Sequence, residues 1–226
     1  MSPSTALAQP SAVLFDLDGT LLDTAPDMVG ALNAICAELG APAVDFSTAR
    51  AYVSNGAIGL LRLPFPDFDP QRSPELHRRY LAVYAERLAV ETCLFPELAM
   101  VLDDLERAGV PWGVVTNKPR HLTEPLLTAL GLLERSACTV SGDSLPERKP
   151  HPRPILFALE QMAAEPGRSI YIGDARRDIE SGRAAGATTV AVRYGYVEPG
   201  QDPATWGADY VVSTPGELRT LLQGRS

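Results

Sequence analysis

Ala12-Val-Leu-Phe-Asp16-Leu-Asp18-Gly19-Thr20 is the stretch on which the reading of this chain turns. A run of strand character ends abruptly in two carboxylates with one residue between them. Positions i and i+2 of a strand share a face, so both acids can point toward one locus. In open α/β sheets such loci lie at the carboxyl ends of the strands, where ligands bind. Gly19 permits a turn that a side chain would obstruct. A plainer reading also fits, a strand followed by a polar turn, because Asp-Gly is a common turn dipeptide.

Beyond residue 95 the pattern alternates. Leu98, Val101, Leu102 and Leu105 recur at helical spacing behind Pro96 and predict a helix closed by Gly109. Val110-Pro-Trp-Gly-Val-Val115, Ser169-Ile-Tyr-Ile172, Thr188-Thr-Val-Ala-Val192 and Asp209-Tyr-Val-Val212 read as strands. Arg177–Ala185 and Pro215–Leu222 read as helices, as does Glu124–Leu130, where Pro125 is a local ambiguity that a place in the first turn would resolve. Strands alternating with helices point to a parallel sheet covered on both faces, an α/β fold.

One stretch, from Thr24 to Thr92, breaks the alternation. Met28, Leu32, Ile35 and Leu39 form one helical stripe, and Leu76, Tyr80, Val83, Tyr84 and Leu88 another. Between them lie Val53-Ser-Asn-Gly-Ala-Ile-Gly59 and the Pro-rich turn Leu63-Pro-Phe-Pro-Asp-Phe-Asp-Pro70. The simplest account is an α/β core over 1–23 and 93–226, with an all-helical insertion over 24–92.

With 226 residues, 45% hydrophobic and 21% charged, the composition is ordinary for a globular protein. A formal net charge of -8 repels phosphate backbones and argues against nucleic acid as a partner. If the substrate is a small anion, its site must be locally positive. Cys36, Cys93 and Cys138 are odd in number and widely spaced, with no CxxC, which fits reduced packing cysteines in a cytoplasmic protein. Met1–Pro10 has no Lys, Arg or long apolar run and is expected to be a loose tail rather than a signal peptide or membrane anchor. His77, His121 and His151 lack metal-ligand spacing and read as surface or loop residues. Neither a Walker A sequence nor GxGxxG is present.

Three further signals bear on chemistry. Val114-Val-Thr116-Asn117 ends a strand in a hydroxyl and an amide, which suit a phosphate oxygen or an ordinary helix N-cap. Lys149, just before a helix start marked by Pro152 and Pro154, could supply a point charge to phosphate or be a solvated loop cation. Tyr171-Ile-Gly173-Asp174-Ala-Arg-Arg-Asp178 again ends an apolar strand in acids. A helix starting near Ala175 would bring Asp178 close to Asp174. Hard carboxylates gathered at one point are what magnesium selects.

In order along the chain, Asp16-x-Asp18-Gly-Thr20, Thr116, Lys149 and Gly173-Asp174 with Asp178 resemble the haloacid dehalogenase superfamily, from about Ala12 to Leu222. The resemblance implies a Rossmann-like core and a magnesium-dependent phosphomonoester hydrolase. Asp16 would attack phosphorus and become an aspartyl-phosphate, and Asp18 would serve as acid and then base. Mg²⁺ would be held by Asp16, the main-chain carbonyl of Asp18 and Asp174, with Asp178 direct or through water. Thr116, Asn117 and Lys149 would bind phosphate. Ala175 departs from the serine or acid often found after Gly173-Asp174. The insertion resembles the small cap of the phosphoglycolate phosphatase-like group, with Asp23-Thr-Ala-Pro-Asp27 as hinge and Ser54, Asn55 and Gly56 as the loop facing the phosphate.

The C-terminal half is closer still to N-acetylmuramic acid 6-phosphate phosphatases, through Trp112-Gly-Val-Val-Thr-Asn-Lys-Pro119, Arg177-Asp-Ile-Glu-Ser-Gly182, Val192-Arg-Tyr-Gly-Tyr196 and Trp206-Gly-Ala-Asp209. Both 2-phosphoglycolate and N-acetylmuramic acid 6-phosphate carry a carboxylate. Arg50 or Arg62 could read it, and Arg62 is the expected reader. Asp18 argues against a dehalogenase, and the absence of Lys from 24–92 argues against a phosphonate hydrolase. A sugar phosphomutase and a non-catalytic phosphate-binding module are the remaining rivals. No sustained heptad marks an oligomer.

Overall fold

β1, Ala12–Phe15, is buried along its whole length because it lies inside a sheet covered on both faces. Its neighbours are β4 (Trp112–Val115) and β6 (Ser169–Gly173), both parallel to it. The computed structural model describes residues 9–224, so most of the tail expected over Met1–Pro10 lies outside the described residues. With β5 (Cys138–Val140), β7 (Thr188–Val192) and β8 (Tyr210–Val212), the six-stranded order is β5-β4-β1-β6-β7-β8. The winding reverses between β1 and β6, and ligands of doubly wound sheets bind at the carboxyl ends beside such a reversal. Phe15 is level with Val114 and Ile172, so Asp16, Thr116 and Asp174 all leave the sheet within two residues of one line.

Five helices cover the sheet: α5 (Leu98–Arg107), α6 (Arg120–Ala129), α7 (Arg153–Gln161), α8 (Arg176–Ala184) and α9 (Pro215–Leu222). Val13, Phe15 and Val114 meet apolar residues of α5, α6 and α9 on one face. Leu14, Val115 and Tyr171 meet α7 on the other. Trp112 packs in the first of these layers and Trp206 against Ile179 and Ala191, so both tryptophans are packing residues. Pro125 stands in the second turn of α6 rather than its first. β5 has no counterpart in the sequence reading. No helix of the described residues is long and apolar enough to cross a membrane.

Between β2 (Leu22–Asp23) and β3 (Cys93–Leu94), the described residues are helical or irregular: α1 (Ala25–Glu38), α2 (Phe46–Arg50), α3 (Gly56–Leu61) and α4 (Pro74–Ala85). α1 and α4 pack together, and Tyr80 OH donates to Met28 O at 3.0 Å. The α1 stripe is shorter than expected. Met28, Leu32 and Ile35 are buried, but Leu39 is 57% exposed because the helix has ended and the chain turns at Gly40. β2 and β3 pair antiparallel, Asp23 opposite Cys93, and put the two connections side by side. Cys93 is exposed there, unlike a packing cysteine. Asp27 at the start of α1 is fully buried and accepts from Thr92 N, Thr92 Oγ1 and Glu91 N at 2.8, 2.7 and 3.0 Å.

Candidate active site

The turn after β1 brings its acids to the reversal point. Asp16 N still donates to Ile172 O at 2.8 Å, which holds Asp16 against β6. Gly19 has φ 87°, and a Cβ there would stand 2.0 Å from Asp174 Oδ2. Both the turn and the close approach of Asp174 therefore require glycine. Asp178 lies in the first turn of α8, where its Oδ2 accepts from Ala175 N at 3.0 Å. Carboxylate oxygens of Asp16, Asp174 and Asp178, all buried, lie within 4.8 Å of one another.

Lys149, buried and not a solvated loop cation, faces this triad. Its Nζ stands 2.7 Å from Asp16 Oδ1 and 2.8 Å from Asp178 Oδ1, and donates to Tyr171 OH at 2.8 Å. Tyr171 OH in turn donates to Val115 O at 2.9 Å. Burial pushes the Asp16 carboxyl up to about 6, against the pull of Lys149. Asp174 rises to about 8, through burial and then the charges of Asp16 and Asp178. Burial acts the other way on Lys149 and Arg177, but the carboxylates outweigh it and raise both. Asp174 Oδ2 is held by Ser54 Oγ at 2.7 Å and Tyr196 N at 2.8 Å, while its buried Oδ1 has no hydrogen-bond partner among the described residues. An orphaned carboxyl oxygen in a cluster of three hard oxygen ligands is what a divalent cation would satisfy, and the donor set fits Mg²⁺.

Thr116 is buried at the end of β4. Its Oγ1 accepts from Lys118 N at 3.1 Å, which leaves the hydroxyl proton free to donate. Asn117 lines the cavity and also braces the Lys149 loop: its side-chain amide donates to Lys149 O at 3.0 Å and accepts from Lys149 N at 3.1 Å, which leaves its second amide proton without a partner among the described residues.

Above these residues opens a cavity of about 350 Å³, with Asp16, Asp18, Thr116 and Lys149 on the sheet side and Ser54, Asn55, Gly56, Tyr80 and Tyr84 from the helical insertion. A larger groove of about 530 Å³ lies between α5 and α9 and contains none of these carboxylates. Ser54 and Asn55 are at the cavity, although Ser54 Oγ engages Asp174 and Asn55 Nδ2 donates to Glu198 Oε1 at 2.9 Å. Arg62 must be corrected: it is exposed, its Nε is 3.4 Å from Phe68 O, and it is absent from the cavity wall because α3 turns it outward. Arg50 is likewise elsewhere, over the Tyr196 ring at 4.7 Å and donating to Gly195 O.

Several wall residues escaped the sequence reading, among them His77, Tyr84, Lys118, Arg148 and Arg177. His77 is half-buried rather than a surface residue, and burial holds its imidazole below the usual range. Arg177 donates to Ser54 O, joining α8 to the insertion. One signal was available for Lys118. The chain has 18 arginines and only two lysines, Lys118 and Lys149, and both are buried in this cavity.

The comparisons with known proteins agree with this geometry. The family model for haloacid dehalogenase-like hydrolases matches residues 13–192. An N-acetylmuramic acid 6-phosphate phosphatase from Pseudomonas putida is 45% identical over 213 residues, covering 93% of this chain and 95% of that protein. A phosphoglycolate phosphatase from Xanthomonas campestris pv. campestris is 42% identical over 209 residues, covering 92% and 95%. Among solved structures, one from Haemophilus somnus described as a predicted phosphoglycolate phosphatase superposes with a TM-score of 0.83 at 26% identity, covering 93% of this chain and 97% of that one. A parallel sheet in this order, the acids at its reversal point and these relatives give one answer: the chain belongs to the haloacid dehalogenase-like hydrolases, as a phosphatase.

Proposed function

We propose that this phosphatase hydrolyses a small phosphomonoester through an aspartyl-phosphate on Asp16. The observation that carries the reading is Lys149 Nζ, 2.7 Å from Asp16 Oδ1 at the foot of a cavity that also exposes Asp18 and Thr116. An Asp16 carboxylate oxygen forms a bond to phosphorus as the bond from phosphorus to the leaving oxygen breaks. Asp18 gives that oxygen its proton, then takes one from the water that attacks the phosphorus of the aspartyl-phosphate. Phosphate departs and the Asp16 carboxylate is restored. Thr116 Oγ1 and Lys149 Nζ hold phosphoryl oxygens, where charge develops. Asp16, the Asp18 carbonyl, Asp174 and Asp178 would hold Mg²⁺, which when bound supplies positive charge that lets two anions approach.

Of the two leading substrates, N-acetylmuramic acid 6-phosphate suits the cavity better. About 350 Å³ walled by Ile58, Tyr80, Leu81 and Tyr84 is ample for an amino sugar, and a two-carbon acid would leave much of it to water. With Arg62 outside the wall and Lys118 Nζ engaged by Asp18 and Tyr84, the cations available to a substrate carboxylate are Arg148 and Arg177. Phosphate release from both compounds, measured side by side with Asp16→Asn as blank, tests the assignment. A kcat/KM at least ~100-fold higher on the amino sugar, about 3 kcal/mol of transition-state discrimination, is the expected result. The reverse ratio would replace it with 2-phosphoglycolate, and activity on p-nitrophenyl phosphate alone would refute both substrates.

A further inference from the structure

Lys118 has no part in the chemistry described so far, yet its side chain is 4% exposed. Its main chain is fixed to the core. Lys118 N donates to Thr116 Oγ1 at 3.1 Å, and Lys118 O accepts from Gly142 N at 2.8 Å and Thr123 Oγ1 at 3.1 Å. Its ammonium reaches across the cavity. Nζ donates to Asp18 Oδ1 at 2.9 Å and to Tyr84 OH at 2.7 Å, and lies 4.5 Å from the Tyr84 ring centroid. Asp18 stands on the turn after β1, and Tyr84 stands on α4 of the helical insertion. One buried ammonium thus joins a sheet carboxyl to the insertion, and a buried charge tolerates the loss of a partner badly.

An ammonium can only donate, so the carboxyl oxygen it touches must be the bare one. With Oδ1 taken by Lys118, the proton of an Asp18 carboxylic acid belongs on Oδ2. That oxygen has no hydrogen-bond partner among the described residues, and Asp18 lines the cavity. We propose that Lys118 is the positioning residue of the acid step: it fixes which Asp18 oxygen carries the proton, and it takes its own position from Tyr84 when α4 is seated. Seating of the insertion and aim of the acid are then one event. The inference rests on the reading of Asp18 as proton donor.

Leaving-group chemistry separates this role from a structural one. An alkoxide needs a proton to depart, whereas p-nitrophenolate does not. The ratio kcat/KM reports the steps through transfer of phosphorus to Asp16, in which the leaving oxygen departs. The experiment compares N-acetylmuramic acid 6-phosphate, 2-phosphoglycolate and p-nitrophenyl phosphate on wild type, Lys118→Met, Tyr84→Phe and the double variant. Lys118→Met should lose about 100-fold on whichever alkyl ester the wild type turns over, the scale of a general acid, and under about fivefold on the aryl ester. Tyr84→Phe keeps the ring and removes one bond, so it should lose about tenfold on the alkyl ester alone, and the double variant should be no worse than Lys118→Met. Equal losses on alkyl and aryl esters overturn the proposal, as does a Tyr84→Phe indistinguishable from wild type. If Lys118→Met fails to fold, Tyr84→Phe decides alone. A wild type inactive on every ester sinks the hydrolase reading together with this one, whereas an active wild type with equal losses sinks this one only.

Discussion

Ser54 Oγ donates to Asp174 Oδ2 at 2.7 Å, so a hydroxyl from the helical insertion rests on a carboxylate of the sheet. Tyr196 N holds the same oxygen at 2.8 Å, so two donors fix one oxygen of a carboxylate that clusters with Asp16 and Asp178 and leave Oδ1 unpartnered among the described residues. Groups that orient a metal-binding carboxylate commonly govern affinity by about 10–100-fold. Ser54→Ala should therefore weaken Mg²⁺ binding by about tenfold in isothermal titration with the metal alone. Unchanged affinity would mean that Tyr196 N orients Asp174 unaided.

Lys149 has three partners, and all three sit on different segments: Asp16 after β1, Asp178 in α8 and Tyr171 in β6. Lys149→Met keeps the stem and deletes the charge proposed to hold the phosphoryl oxygens. Loss of one such preorganised donor costs on the order of 10²–10³ in kcat. The variant should fall by that much on alkyl and aryl esters alike, since the charge acts on phosphorus rather than on the leaving oxygen. A drop confined to KM would show that Lys149 only gathers substrate.

What the sequence revealed, and what it hid, follows the range of the interactions. Asp16, Asp174 and Asp178 are legible because each directly follows a strand or lies in the first turn of a helix, and Asp18 because it stands two residues beyond Asp16 in the turn after β1. The α/β order is legible for the same reason. The bracing role of Asn117 stays hidden because its amide works across 32 residues on Lys149, a relationship with no local trace. Arg62 misleads because α3 is only six residues long, so nothing in the pattern shows which way its end turns. Lys118 hides beside the more familiar Thr116, although the scarcity of lysine was in view throughout. Its partner Tyr84 belongs to a helix that reads as plain core, since a buried tyrosine facing a cavity and one facing apolar neighbours have the same spacing.

Asp27 ties the two connections of the insertion together. Its buried carboxylate accepts from both Glu91 N and Thr92 N and from the Thr92 hydroxyl. Asp27→Ala would leave the buried Thr92 N and the partly buried Glu91 N unpaired as well as removing charge-assisted bonds. A loss of about 3 kcal/mol in urea unfolding is expected, the scale of a hydrogen-bonded charge removed from the interior. Thr92→Val deletes the hydroxyl alone and should cost about 1 kcal/mol. Equal effects from the two variants would show that the hydroxyl, not the main chain, carries the tie.

Asp104 offers a test by pH away from the cavity. On α5 it accepts from Arg219 Nε at 2.6 Å and Gln223 Nε2 at 2.7 Å, and also from Arg107, which joins α9 to the sheet layer. Arg219 first, with Gln223 and Arg107, lowers its carboxyl from 3.8 to about 2. Because the folded value is the lower one, the unfolded chain binds more protons between pH 4 and 2. The stabilisation is complete above about pH 4 and is lost as the pH falls through about 2. Asp104→Asn should unfold earlier than wild type in urea at pH 5, and the gap should narrow as the pH is taken from 4 toward 2. The magnitude will be modest, since ion pairs near the surface are worth about 0–1 kcal/mol each. A gap that stays constant over that range would assign the effect to hydrogen bonding that the amide cannot reproduce, with no contribution from the charge.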